Sequence, residues 1–228
     1  MLSERFEKLS PWLCSPFDRS SRAYLETHLD LLTGESDRFL ELFIHEHEDT
    51  RDEQRRLRMI RHLLRDAEMR GKTVQAVREA YINMLGGLIL DPPAWLQEIE
   101  LEWGRFSEPD WTDRRMTVCK LRLKEAVEQA SAETVPEITA ELQYELGNFF
   151  ANDVARRSRG MLEQAVGYYT SALQVYTAER YPLRCALLLL TLGDMYRRLA
   201  ANRHADLIMQ SLSYYSQAMA IYEPYGLL

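Results

Sequence analysis

Apolar positions in this chain recur every three or four residues, in blocks set apart by short glycine, proline and serine signals. That period belongs to helices with one buried face, and no stretch alternates residue by residue as a half-buried strand would. The blocks predict helices over 1–13, 21–32, 37–48, 52–70, 73–90, 94–103 and from about 112 to 130. Ser20, Ser36 and Thr73 stand as opening signals and Gly34 and Gly71 as stops. Asp91-Pro92-Pro93 is the sharpest break and also a good start for the helix behind it.

From Pro136 onward the pattern is written twice. Leu146-Gly147 returns as Leu192-Gly193, Tyr168-Tyr169 as Tyr214-Tyr215, and Ala172-Leu173 as Ala218-Met219. Val175-Tyr176 returns as Ile221-Tyr222, and Pro136 and Ala140 as Pro182 and Ala186, every pair separated by the same 46 positions. A repeat of this length, made of two apolar-periodic segments, marks a helical hairpin that stacks on its own copy. The expected fold is all-α, a right-handed α-solenoid of helical hairpins. It divides into an N-terminal helical unit over 1–91, a degenerate hairpin over 92–135 and two long repeats over 136–228. Met116, Ala126, Val127 and Ala130 half-match the second helix of a repeat, which is why the middle segment reads as an earlier, degenerate unit.

Composition narrows the function rather than the fold. The 228 residues, 46% hydrophobic and 28% charged, suit an ordinary soluble chain long enough to bury a core. The net charge of −7 is concentrated: residues 1–110 carry 22 acids against 15 bases, residues 111–228 carry 13 against 13. That balance argues against general nucleic-acid binding. Cys14, Cys119 and Cys185 are scattered and unpaired in pattern, as in a reducing cytoplasm, and no apolar run is long enough to span a bilayer.

Leu146-Gly147, Phe150, Ala165, Tyr169, Ala172 and Pro182 resemble the tetratricopeptide pattern, and Leu192-Gly193, Tyr196, Ser211, Tyr215 and Ala218 repeat it. The period here is longer than the usual one of about 34 residues. In that long form, with the stretch LEQAVGYYTSALQVYTAERYP, the repeats resemble those of bacterial proteins that couple tetratricopeptide arrays to a caspase-like CHAT protease domain. The segment ETHLDLLTGESDRFLELFIHEHEDTRDEQRRLRMIRHLLRDAEMRG resembles the helical part that precedes the repeats there. The two resemblances span roughly 24–80 and 136–223. The protease's catalytic His and Cys have no counterpart in these residues, so its activity is not implied. What is implied is a non-catalytic module that binds a protein partner or segment in a helical groove. The competing expectation is a regulatory arm of a CHAT-type system whose catalytic domain lies on another polypeptide.

The resemblance to the repeat places Glu141, Tyr144, Asn148 and Asn152 on the groove from the first copy, and Leu187, Leu190, Asp194 and Arg197 from the second. Tetratricopeptide domains that clamp a C-terminal carboxylate use a Lys one turn before an Asn. Here Tyr144 stands in the place of that Lys, so a carboxylate clamp is not implied. Arg156, Arg157 and Arg159 fall in the turn of one hairpin and Arg197, Arg198 and Arg203 near that of the other. Stacked in register they would form a basic edge, either solvated loop charge or a dock for acidic segments.

Other candidate chemistry is thin. His45 and His47 are about 200° apart on a helix and cannot share an ion, and His45 with Asp49 makes only two ligands. Cys119 has no motif around it, and Glu98, Glu100 and Glu102 spread around a helix. No catalytic residue, metal or cofactor is expected. One more expectation concerns the last helix, 207–222, whose apolar residues exceed what its hairpin partner can cover. That side should be covered by self-association through a two-fold contact, by another domain or partner, or by 224–228 folding back.

Overall fold

The computed structural model describes residues 9, 12, 17–46, 51–97, 113–132, 135–152, 158–200 and 204–225. All regular structure among them is helical: α1 (Arg19–Thr27), α2 (Gly34–Glu46), α3 (Arg51–Met69), α4 (Val74–Leu85), α5 (Asp113–Ala132), α6 (Pro136–Asn152), α7 (Arg159–Leu173), α8 (Pro182–Leu199) and α9 (Ala205–Tyr222). Short 3₁₀ turns occupy Leu29–Leu31, Gly87–Ile89 and Glu223–Tyr225. The chain divides into two compact units, Met1–Leu85 and Gly86–Leu228.

In the first unit α1 packs on α4, α2 on α3 and α3 on α4. The stripe Leu57, Ile60, Leu63 and Leu64 is buried as its spacing requires, together with Leu25, Leu40, Val77 and Tyr81. Asp18, rather than Ser20, caps α1, accepting from the Ser21 amide at 2.7 Å. Trp12 donates its indole N–H to the Tyr81 hydroxyl at 2.8 Å inside the core. On the rim, Asp37 takes Arg61 and Arg65, each at 2.6 Å. Burial alone would raise the Asp37 carboxyl, but the hydrogen bonds and charges of these two arginines hold it below its ordinary value.

The helix expected through Leu90 ends at Leu85 instead. Gly86 takes φ +90°, a conformation open to glycine and costly for other residues, and Gly87–Ile89 follow as a 3₁₀ turn. In the second unit this turn packs on α6, and from α5 to α9 each helix packs on the one that follows it. Pro136 and Pro182 both stand at the first position of a helix, where a missing N–H is harmless. Among the described residues no helix is long and apolar enough to cross a membrane.

Candidate functional site

The 46-residue repeat is a repeat of contacts as well as of letters. Gly147 lies against the ring of Tyr169, where a Cβ would sit 2.5 Å from Cε1, and Gly193 lies against Tyr215, where it would sit 2.6 Å away. Each glycine therefore lets one helix of its hairpin approach the tyrosine of the other. The Tyr169 hydroxyl donates to Asn148 Oδ1 at 2.8 Å, and the Tyr215 hydroxyl to Asp194 Oδ1 at 2.7 Å. Phe150 stacks on Tyr168 with centroids 5.5 Å apart and planes at 18°, and Tyr196 stacks on Tyr214 at 5.4 Å and 19°. Three kinds of contact thus recur at one offset in α6–α7 and in α8–α9.

The first helices of the two hairpins also meet. Arg184 of α8 pairs with Glu141 of α6, both almost fully buried. At the other end the Arg198 guanidinium donates to the Ala151 carbonyl at 2.6 Å, satisfying an acceptor that the end of α6 leaves over. These two ties bracket the residues singled out from the sequence. Tyr144 is half-buried, its ring 5.8 Å from that of Tyr169 and 5.1 Å from the Arg184 guanidinium. Asn148 is spent on Tyr169 and on Glu145, to which its amide donates at 3.2 Å. Asn152 is exposed at the last position of α6. Leu187 and Leu190 are half-buried, and Leu190 packs on Cys185, Ala186, Leu189 and Ala218. Asp194 and Arg197 are exposed and pair with each other at 3.3 Å.

Of the basic edge, Arg159 is exposed and pairs with Glu163 at 2.8 Å, while Arg198 is half-buried in the tie to Ala151. Arg156, Arg157 and Arg203 lie outside the described residues, as do His47, Asp49, Glu98, Glu100, Glu102 and the side chains of His45 and Cys119. Cys185 is a buried thiol whose ionisation burial pushes up. Among the described residues no three His, Cys, Asp or Glu side chains are grouped to hold a metal ion.

Sequence reasoning missed a buried polar clasp around Glu141. The Gly87 amide donates to Tyr176 Oη at 2.8 Å and to Glu141 Oε2 at 3.2 Å. The Tyr176 hydroxyl lies 2.8 Å from Glu141 Oε2 and 3.0 Å from the Glu137 carbonyl, so one proton serves two acceptors. Tyr181 donates to Glu137 Oε1 at 2.8 Å, and its ring meets Tyr176 edge-on at 5.6 Å. Burial pushes the Tyr176 phenol well up, and the Glu141 charge pushes it further. Burial opposes the charge on Arg184, yet Glu141 keeps that guanidinium protonated above its ordinary value. Neither Gly86 nor Gly87 has room for a Cβ: one would strike the Glu141 carboxylate, the other the Glu137 backbone. The Gly-Gly pair in an apolar run was the available signal. The clasp is closed on itself, a structural fastening for the start of the unit. No protein-family model, no curated protein and no solved structure matches this chain.

Proposed function

We propose that the chain is a non-catalytic protein-interaction module, a right-handed α-solenoid of tetratricopeptide-like hairpins that holds a segment of another protein along α6 and α8. One observation carries this reading. The first helices of two equivalent hairpins are tied side by side at both ends, by Glu141–Arg184 and by Arg198–Ala151. Repeat proteins bind along the surface made by such aligned helices. The edge of α8 offers half-buried Leu187 and exposed Asp194 and Arg197, one apolar position beside charges of both signs. A segment with an apolar anchor flanked by polar residues fits that chemistry.

Photo-crosslinking tests it. A crosslinking side chain placed at Leu187 and, separately, at Asp194 should trap the same protein in the native cell. One placed at Gln164, exposed on α7, should not. Leu187→Glu should weaken capture at Asp194 by at least about tenfold, and the exposed Asp194→Lys should weaken capture at Leu187 with the melting temperature unchanged. Capture that is identical from all three positions would overturn the reading.

A further inference from the structure

The outer side of α9 carries four exposed large apolar side chains, more than any other described helix. Ile208, Leu212 and Met219 are 44%, 55% and 51% exposed, and with half-buried Tyr215 and Tyr222 they follow a spacing of four, three, four and three. That spacing makes one continuous stripe along a helix. The buried side of α9, at Ser211 and Ala218, runs about 70° from the centre of this stripe and packs on α8.

The first hairpin shows what such a stripe is for. Forty-six positions earlier stand Leu162, Val166, Tyr169 and Leu173 on α7, the helix that α8 packs against, and Tyr176 in the turn just after it, none of them exposed. In α9 the same stripe is open. Its flank has changed as well. In α7 the flank is the exposed ion pair Arg159–Glu163, whereas in α9 those two positions are Ala205 and Met209, the latter 66% exposed. The apolar face of α9 is therefore wider than the one a following helix covers on α7. A third hairpin, set down as α8 is on α7, would leave Met209 in water.

Charge selects among occupants. Of the 18 residues of α9 only Asp206 is charged, and it lies nine positions from Tyr215, half-way round the helix from the stripe. The stripe residues are uncharged, and the charges nearest Tyr215, Asp194 and Arg197 of α8, are paired with each other at 3.3 Å. The face therefore meets its own copy with little like-charge repulsion, even in a chain of net charge −7. The stripe is also close to symmetric about Tyr215, with Leu212 and Met219 three before and four after it, and Ile208 and Tyr222 seven on either side. Isologous contact requires such self-complementarity.

We propose that this face is where two copies of the chain pair, their α9 helices antiparallel about a two-fold axis beside Tyr215. Leu212 then faces Met219 of the second copy, and Ile208 faces Tyr222. The Tyr215 hydroxyl keeps its own acceptor, Asp194, when the two copies pair. Met209 and Met219, unbranched and adaptable, fill the seam where the two surfaces are not ideally matched.

Sedimentation equilibrium of the full chain from about 1 to 100 μM, the weak end of specific association, reads the outcome. A monomer–dimer equilibrium is expected. Met219→Glu should weaken it at least about tenfold, because each pairing buries two carboxylates. Gln210→Glu, on the exposed far side, should leave it unchanged. The double variant Leu212→Lys with Met219→Glu should pair more tightly than Met219→Glu alone, since only an antiparallel arrangement sets the lysine against the glutamate. All these positions are exposed, and an unchanged helical circular dichroism signal verifies that each variant folds. A monomer at every concentration overturns the proposal, as does a dimer indifferent to Met219→Glu. A monomeric chain that uses the face for a different protein overturns it equally.

Discussion

The hairpins α6–α7 and α8–α9 hold their own helices together in the same way and meet their surroundings in different ways. Inside each, a glycine receives a tyrosine ring, that tyrosine's hydroxyl finds a side-chain acceptor, and two aromatic rings stack. Outside, the first hairpin is fastened by buried charge at Glu141 and covered by α8, while the positions matching Glu141 and Glu145 in the second are Leu187 and Thr191. The contacts that make a hairpin are fixed by local geometry and so survive repetition. The contacts between a hairpin and its neighbour depend on what the neighbour is, and there the two copies have diverged.

The largest test of that contrast is at the matched positions Glu141 and Leu187. Glu141→Ala leaves Arg184 buried without its partner and should cost about 3–5 kcal/mol in denaturant unfolding. Leu187→Ala, at a half-buried site with no polar debt, should cost only about 1 kcal/mol. Equal losses would mean that the hairpins do not differ in how they are fastened.

Next come the glycines. Gly147→Val drives a branched side chain into Tyr169, which is fully buried and cannot retreat. It should cost about 2–3 kcal/mol, and Gly193→Val less, about 1–2 kcal/mol, because half-buried Tyr215 has room to swing. Thermal melting of the two variants side by side gives the comparison.

The smallest effect is electrostatic. Burial raises the Glu145 carboxyl above its ordinary value, more than the hydrogen bond from Asn148 lowers it. A carboxyl raised by folding subtracts stability once it ionises, and that cost vanishes as the pH falls through the unfolded value of about 4.3. Glu145→Gln should therefore raise the melting temperature at pH 7, with the gain gone near pH 4. Thr191, already neutral, marks the second hairpin as free of this pH dependence, so Thr191→Val should shift melting by the same amount at both pH values.

Much of the helical layout is legible in the letters because a helix declares itself within a few residues. The stripe Leu57, Ile60, Leu63 and Leu64 is buried where its spacing put it, and the 46-residue offset matches Gly147 with Gly193 and Tyr169 with Tyr215, pairs that make the same contact in each hairpin. Glu141 was legible as a helical residue but not as a buried one. A carboxylate on a first helix reads as solvated, and the groups that neutralise it, Arg184 and Gly87, lie 43 and 54 positions away. The end of α4 was obscured for a related reason. Leu85 to Leu90 is an unbroken apolar run apart from Gly86-Gly87, and hydrophobic period alone carries across it.

The clasp also sets an order of events in folding. The bond from Tyr169 to Asn148 closes a span of 21 residues, while that from Gly87 to Tyr176 closes 89. Two doublings of loop length add about 1.2 kcal/mol of closure entropy, and the longer span gains its contacts only after the hairpin beneath it exists. The 3₁₀ turn at Gly87 is thus a late arrival and an early departure. Its amide, though buried, should exchange with solvent deuterium faster than the mid-helix amides of α6, through an opening that releases the turn while α6 and α7 stay paired.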